Sequence, residues 1–350
     1  TPDIVEVVYS EQTKNDIEVL KNEVDIEIVE SKPLSPTNPH KITKRAQELL
    51  AKYDNDDIVL NITSSPKPWS HLFAKELQNN DNVRVIYFDQ NNVLWDYTDM
   101  KGTYGFEYDM RTQFRLYRNP LQHFTPFSDY NEKDAKIAEK VEKIRHRNHA
   151  VFNELTIISD SREKSQLNSK IGMRQSDNGS YITWDKTDSA RNVKVEICII
   201  NKNSTYCEKF ESPHAFEIIF NAGWFEYKVA KLFSGWDKCK EVLLNCTFPA
   251  QNNAPKNEVD VIVDAGTKIF FVECKTQIFT LTDIDKFRSV VKAYGGLGSK
   301  GVFVTEAEKS IQAKEKCQQN TIIDFVLSEK IDESTFYKLL DKELAQLNPK

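Results

Sequence analysis

The 350-residue sequence has no C-x-x-C pair, no H-E-x-x-H, no apolar run approaching a membrane span, and no excess of basic charge. Each absence removes a class of protein. The six cysteines, at 198, 207, 239, 246, 274 and 317, all lie in the C-terminal half. Without paired spacing they indicate neither a zinc ribbon nor a disulfide framework, and the expectation is reduced thiols. His146 and His149 sit among Arg145 and Arg147, which reads as a basic helix surface rather than a metal site. A membrane span needs about 20 consecutive apolar residues. Thr1-Pro2-Asp3 opens no visible signal segment, so a cytoplasmic protein with no membrane partner is expected. A net charge of -6 excludes a globally basic footprint. Any contact with nucleic acid must be local, helped by a metal and by Lys or Arg on particular faces, which disfavours a simple high-affinity duplex binder.

What is present is a globular balance, 29% charged and 39% hydrophobic, on a chain long enough for two or three domains. Two segments carry chemistry: Asn257-Glu258-Val259-Asp260-Val261-Ile262 and Phe271-Val272-Glu273-Cys274-Lys275. Residues 258–263 and 268–275 are rich in Val, Ile and Phe, and Asp264-Ala265-Gly266-Thr267 reads as the turn of a hairpin. Side chains alternate along a strand, so Glu273 and Lys275 share a face. If Val263 pairs with Lys268, Asp260 lies opposite Phe271 and joins that face. Two carboxylates on neighbouring strands suit Mg2+ or Mn2+, hard cations that take oxygen ligands and keep waters. A lysine two residues after the second acid can hold the attacking water or offset charge at phosphorus. The alternative is a solvated hairpin face. Against it stands the apolar run Ile269-Phe270-Phe271-Val272, as in a strand buried on both faces, at whose end a charge is costly unless paired or metal-bound.

Upstream, Ala222 to Phe233 places Phe225, Val229, Leu232 and Phe233 at helical spacing, with Glu226 beside the apolar stripe. Glu226 can face the acids as a further ligand or water positioner, or be an ordinary solvated helix residue. Downstream, Thr282 is read as the cap of a helix through Ile284, Phe287, Val290 and Val291, with Lys286, Arg288 and Lys292 on its polar face. Lys286 can reach a substrate phosphate, although such a basic set is equally a solvated face.

The first hundred residues alternate between strands (Ile4–Tyr9, Val24–Val29, Ile58–Ile62, Val83–Phe88) and helices (Asn15–Asn22, Lys41–Tyr53, about Trp69–Leu77). That alternation implies a parallel, doubly wound sheet, whose ligands bind beyond the carboxyl ends of the strands. Two loops lie there: Ser10-Glu11-Gln12-Thr13, and Asn61-Ile62-Thr63-Ser64-Ser65-Pro66-Lys67. Their hydroxyls, backbone N–H groups and lysine suit a phosphate-bearing ligand, and equally suit simple helix capping. Further on, Asn119 to Phe127 reads as a connector and Glu132 to His149 as a charged helix. The turn signals Asp177-Asn178-Gly179-Ser180 and Asn201-Lys202-Asn203-Ser204 suggest β-hairpins around Tyr181–Trp184 and Val193–Ile200, and Ile322 to Leu347 has helical spacing.

The order helix, strand with acid, strand with E-x-K, helix, strand (Gly301 to Thr305) resembles the PD-(D/E)XK nuclease core over roughly residues 215–310. The resemblance implies Asp260 and Glu273 as metal ligands, Lys275 as the motif lysine and Glu226 at the helix-glutamate position. Val259 stands where the proline of the motif's name would be. The N-terminal pattern resembles the CARF domain, the Rossmann-like sensor of cyclic oligoadenylates. CARF followed by PD-(D/E)XK is the layout of type III CRISPR ancillary nucleases activated by cyclic tetra-adenylate. Gly223-Trp224-Phe225-Glu226 and Asn257-Glu258-Val259-Asp260 fit the nuclease half, and both loops fit the sensor half. The family's Thr-Gly-Gly-Thr-Lys loop appears here as Thr63-Ser64-Ser65-Pro66-Lys67, and loss of both glycines restricts close backbone approach to a phosphate. The fold class expected is therefore α/β, a Rossmann-like CARF sheet followed by a restriction-endonuclease-like α/β domain. The boundaries expected are 1–118 for the sensor, 119–214 for a connector with helix and hairpins, and 215–350 for the nuclease. By resemblance, Ser10, Glu11, Gln12, Thr13, Thr63, Ser64, Ser65 and Lys67 bind the activator, Mg2+ or Mn2+ is the cofactor, and single-stranded DNA or RNA is the substrate. A homodimer follows, because a two-fold symmetric ring fits an isologous site. The alternatives are a restriction- or repair-type endonuclease with another N-terminal ligand, and a catalytically silent nucleotide sensor.

Overall fold

The computed structural model describes residues 2–89, 93–104, 109–158, 167–188, 192–202, 204–252, 254, 256–266, 268–276, 280–296, 299–327 and 333–345. Thr1, Asn203, Thr267 and Leu347, named in the sequence reading, lie outside them. The chain divides into two units, one running to Pro120 with the chain end from Asp341, the other Leu121–Leu340.

In the first unit β1 (Ile4–Val7) pairs parallel with β2 (Glu27–Glu30) across α1 (Asp16–Glu23). After α2 (Pro39–Lys52), β3 (Ile58–Asn61) pairs parallel with β4 (Val83–Phe88) across α3 (Lys67–Leu77). Asn38 starts α2 by accepting from the Lys41 N–H at 3.1 Å, and Pro39 takes the first helical position, where no N–H is needed. Ile42 and Ala46 of α2, Trp69, Phe73 and Leu77 of α3, and Val83 and Val85 of β4 make the core, with Leu49 and Leu50 packed against it. The parallel pairs match the alternation in the sequence. These strands do not make the one parallel sheet expected: β1 and β2 form a two-stranded sheet of their own, and in the four-stranded sheet β5 (Val93–Asp96) runs antiparallel to β4, and β6 (Lys101–Tyr104) antiparallel to β5. An antiparallel return needs only a tight turn, here Tyr97 to Met100 with Met100 at a φ of 54°, whereas a parallel one needs a crossover. The helix α4 (Met110–Leu116) follows.

The second unit is built on a six-stranded sheet. Its strands are β7 (His123–Pro126), β12 (Glu241–Thr247), β13 (Glu258–Asp264), β14 (Ile269–Lys275), β15 (Ser299–Thr305) and β16 (Ile323–Val326), in the order β16-β15-β14-β13-β12-β7. β12, β13 and β14 are antiparallel, while β14, β15 and β16 are parallel. Within this unit α5 (Glu132–Arg147), α6 (His149–Thr156), α7 (Ala215–Ile219) and α8 (Gly223–Ser234) precede β12 in the chain; the parallel half returns through α9 (Leu281–Val290) and α10 (Ile311–Gln319), and α11 (Glu333–Ala345) follows β16. The run Ile269 to Val272 is buried throughout, as its unbroken apolarity implies, and Phe270 meets Phe233 of α8 and Trp236 with ring centroids 6.5 and 5.9 Å apart.

Several expectations need correction. The hairpin pairs Val263 with Phe270 and Asp264 with Ile269, two residues away from Val263 opposite Lys268, because the Ala265 N–H donates to the Lys268 carbonyl and lengthens the turn. An even slip preserves the face, so Asp260 stays on the side of Glu273. α9 is capped by Thr280, whose N–H donates to the Asp283 carboxylate at 2.8 Å, rather than by Thr282. Ile323 to Val326 is a strand, and only the later tail, α11, is helical. His123 to Pro126, read as connector, is the edge strand beside β12, a place where proline's missing N–H does no harm.

Between α6 and α7 a second, antiparallel sheet takes the order β11-β10-β9-β8, with β8 (Ile171–Gln175), β9 (Tyr181–Asp185), β10 (Val193–Asn201) and β11 (Ser204–Ser212). The β10–β11 register sets Cys198 directly opposite Cys207, Cα atoms 4.1 Å apart, and the two form a disulfide. This overturns the expectation of reduced thiols for that pair. Cys239, Cys246, Cys274 and Cys317 are free.

Candidate active site

β13 and β14 lie inside the sheet, so their side chains are aimed by hydrogen bonds on both sides. Asp260 Oδ2 accepts from the Cys274 N–H at 2.7 Å, which ties the first acid to the strand of the second. Glu273 is 4% exposed. Its Oε1 lies 2.9 Å from Lys275 Nζ, and its Oε2 accepts from Lys256 Nζ at 2.6 Å. Lys256 precedes β13 and was not singled out in the sequence. The end of β14 is pinned by β15: Lys275 pairs with Thr305, and its carbonyl accepts from the Glu306 N–H at 3.0 Å.

Glu226 arrives from α8, whose start is set by an unusual corner. Asn221 and Ala222 have φ of 52° and 66°, and a Cβ added to Gly223 would meet the Glu217 carbonyl oxygen at 1.9 Å. Only glycine fits there. The Asn221 side chain holds the turn by accepting from the Ile158 N–H at 3.0 Å. With Trp224, Phe225, Val229 and Phe233 buried, Glu226 is carried toward Asp260 and Glu273, close enough for both to act on it electrostatically.

The three acids feel one another. Burial, then the Glu273 charge, pushes Asp260 up to about 6, while Lys256, Lys275 and the Cys274 N–H act the other way. Glu226 lies well above the usual carboxylate range, first through burial and then through Asp260 and Glu273. Lys275 and Lys256 are both raised: burial opposes their charge, but the neighbouring carboxylates outweigh it. The Cys274 thiol, facing the other way, is raised by burial. Among the described residues no three His, Cys, Asp or Glu side chains converge as a ready-made metal cage. Two carboxylates, Glu273 buried and Asp260 half-buried, with mutual repulsion and oxygen donors only are nevertheless the donor set that a hard divalent cation takes while keeping waters and a substrate phosphate.

Beyond the site, the Arg145 guanidinium donates to Glu306 Oε1 at 2.7 Å, lies 2.6 Å from His149 Nε2 and stacks over Trp224 at 5.2 Å. Arg145, expected on a basic helix surface, is instead buried and braces the segment that follows β15, while His149 opens the next helix beyond the Asn148 cap. Lys286 is exposed on α9.

In the first unit the proposed activator residues follow the ends of β1 and β3, and each loop is closed by its own bonds. The Ser10 N–H donates to Thr13 Oγ1 at 3.1 Å, with Glu11 and Gln12 exposed. Thr63 Oγ1 accepts from the Phe88 N–H at 2.8 Å, and the Ser65 and Ser70 hydroxyls are 2.6 Å apart. Ser64 is exposed, as is Lys67, the first residue of α3.

No family model matches the sequence. Comparison with curated proteins also finds no match. Solved structures do resemble the chain. Can2 from Sulfobacillus thermosulfidooxidans, determined with cyclic tetra-adenylate, aligns over 99% of this chain and 93% of its own, with TM-score 0.65 and 18% identity. VC1899 from Vibrio cholerae aligns over 99% and 91%, with TM-score 0.69 and 12% identity. A type III CRISPR defence DNA nuclease activated by cyclic oligoadenylate matches 99% of this chain but only 48% of its own, with TM-score 0.55 and 12% identity. At such identities the likeness is one of fold, and the α/β class anticipated from the sequence is the one observed, in two units.

Proposed function

We propose that the chain is a nuclease of the CRISPR ancillary class. Its second unit hydrolyses phosphodiesters of single-stranded DNA or RNA with Mg2+ or Mn2+, and its first unit binds a cyclic oligoadenylate, most simply cyclic tetra-adenylate, as activator. The observation that carries this reading is the convergence of Asp260, Glu273 and Lys275 on one face of β13 and β14 with Glu226 beside them. Full-length likeness to Can2 supports the sensor half.

Asp260 and Glu273 would hold the cation, which when bound supplies an activated water and charge neutralisation at phosphorus. The remaining work falls to side chains. Lys275, kept cationic by its carboxylate neighbours, stabilises the negative charge that grows on the phosphoryl oxygens, in a half-buried setting where such an interaction is stronger than in water. Glu226 orients the water. Ser10, Glu11, Gln12, Thr13, Thr63, Ser64, Ser65 and Lys67 would bind the activator, with Lys67 offering an exposed ammonium at a helix N-terminus to a phosphate. A homodimer accommodates a two-fold symmetric ring. Labelled single-stranded DNA and RNA, incubated with the chain with and without Mn2+ and cyclic tetra-adenylate, test the whole reading. Cleavage requiring both additions is expected. Full turnover in excess EDTA would remove the metal, and absence of binding by both cyclic tetra- and hexa-adenylate at micromolar concentration would remove the sensor in favour of a restriction- or repair-type endonuclease.

A further inference from the structure

We infer that Lys256 is a resident counter-ion of the nuclease site: its ammonium and a divalent cation occupy Glu273 in turn, each excluding the other. The inference rests on the nuclease reading above. Lys256 Nζ sits 2.6 Å from Glu273 Oε2 and Lys275 Nζ 2.9 Å from Oε1, so both oxygens of this carboxylate already carry an ammonium. A divalent ion of the Mg2+ type needs its oxygen ligands at about 2.0–2.1 Å in near-octahedral order. Each oxygen keeps a second lone pair, but a dication arriving at Glu273 meets two ammonium charges already within hydrogen-bond distance, and displacing one relieves that repulsion.

The backbone decides which. Lys275 leaves β14 two residues from Glu273, and its strand is laddered to β15 through Thr305. Lys256 lies two residues ahead of β13, outside any strand, and its side chain remains partly exposed. It can withdraw without breaking a ladder. Its presence also has a reason: Glu226, Asp260 and Glu273 repel one another in a buried setting, and an uncompensated buried charge is strongly destabilising. A tethered ammonium keeps the carboxylates assembled until the cation arrives.

Calorimetric titration of EDTA-stripped full chain with Mn2+, without nucleic acid, tests the exclusion. Lys256→Met is expected to bind Mn2+ about tenfold more tightly than the native chain, since a competitor worth about 1.4 kcal/mol is gone. In the native chain, saturating Mn2+ should raise acylation of Lys256 several-fold, read by mass spectrometry at that residue. Equal or weaker Mn2+ binding by Lys256→Met overturns the inference. So does a gain in affinity with no change in native Lys256 acylation, which would assign the effect to net charge alone. The acylation readout needs no variant and stands even if the substitution unfolds the chain. Asp260→Asn serves as the control: if it binds Mn2+ as tightly as the native chain, the metal site itself is misplaced, a failure separate from that of Lys256.

Discussion

Replacing Asp260 by asparagine should destroy cleavage and stabilise the fold. The side chain is sterically conserved, and its oxygen can still accept from the Cys274 N–H. What disappears is a half-buried negative charge beside Glu273. The carboxyl is pushed from its ordinary 3.8 to about 6. An acid whose folded value lies above its unfolded one holds more protons when folded. Its contribution is therefore fully favourable below about pH 4 and is lost as pH rises through about 6. At pH 7 the difference is worth about 3 kcal/mol against the native carboxylate. For a unit of this size 1 kcal/mol moves a melting midpoint by about 2–4 °C, so Asp260→Asn should melt about 6–12 °C higher at pH 7 in EDTA. The gap should close near pH 4, where both chains carry a neutral side chain. Mn2+ should narrow it at pH 7 by stabilising only the native protein. Thermal unfolding followed by circular dichroism at the two pH values, with and without Mn2+, reads all of this. A variant that melts at or below the native chain at pH 7, or a gap indifferent to pH, would refute the picture of mutually repelling acids.

Lys275→Ala should lower turnover about 10²–10³-fold, the usual loss for one preorganised charge-stabilising group, with an unchanged circular dichroism spectrum; near-native turnover would remove Lys275 from the mechanism. Lys67→Ala should raise the activator concentration needed for half-maximal cleavage while leaving the saturated rate similar, as a coupled two-site system requires, and a titration of rate against cyclic tetra-adenylate checks it. Ala222→Gly relieves a side chain held at a φ of 66° and should add about 1 kcal/mol by urea denaturation.

Much of the site was readable because the relevant signals are periodic. Alternation alone put Asp260, Glu273 and Lys275 on one face, and this survived a register error because the slip was even. The stripe of Phe225, Val229 and Phe233 likewise fixed the side of α8 on which Glu226 lies. What escaped has no period. Lys256 comes from an irregular segment, and nothing in a linear sequence says that such a lysine folds back onto a residue 17 positions away. The Cys198–Cys207 bond depends on which residues of two nine-residue strands face one another, a matter of register rather than of spacing motifs. β7 is only four residues long and ends in proline, so its composition argues against a strand, and only the partner β12 makes it one. The even alternation of the first hundred residues gave the parallel pairs but not the hairpin β5–β6, whose Val93, Leu94 and Trp95 are too short a run to declare a direction.

That same edge strand orders events in time. β7 pairs Pro126 with Leu243 and His123 with Thr247, so its partner is synthesised more than a hundred residues later. A ribosome adding about 5–20 residues per second exposes the stretch of the first unit that runs to Pro120, whose strand pairings lie close together in sequence, well before the larger sheet can close. The β13–β14 hairpin follows β12 directly, so Lys275 is made only after both edges of that closure exist. A nascent chain thus carries a folded stretch up to Pro120 before it carries the Asp260, Glu273 and Lys275 cluster, and translation stalled ahead of Glu241 should yield a protease-resistant fragment ending near Pro120 with no cleavage activity.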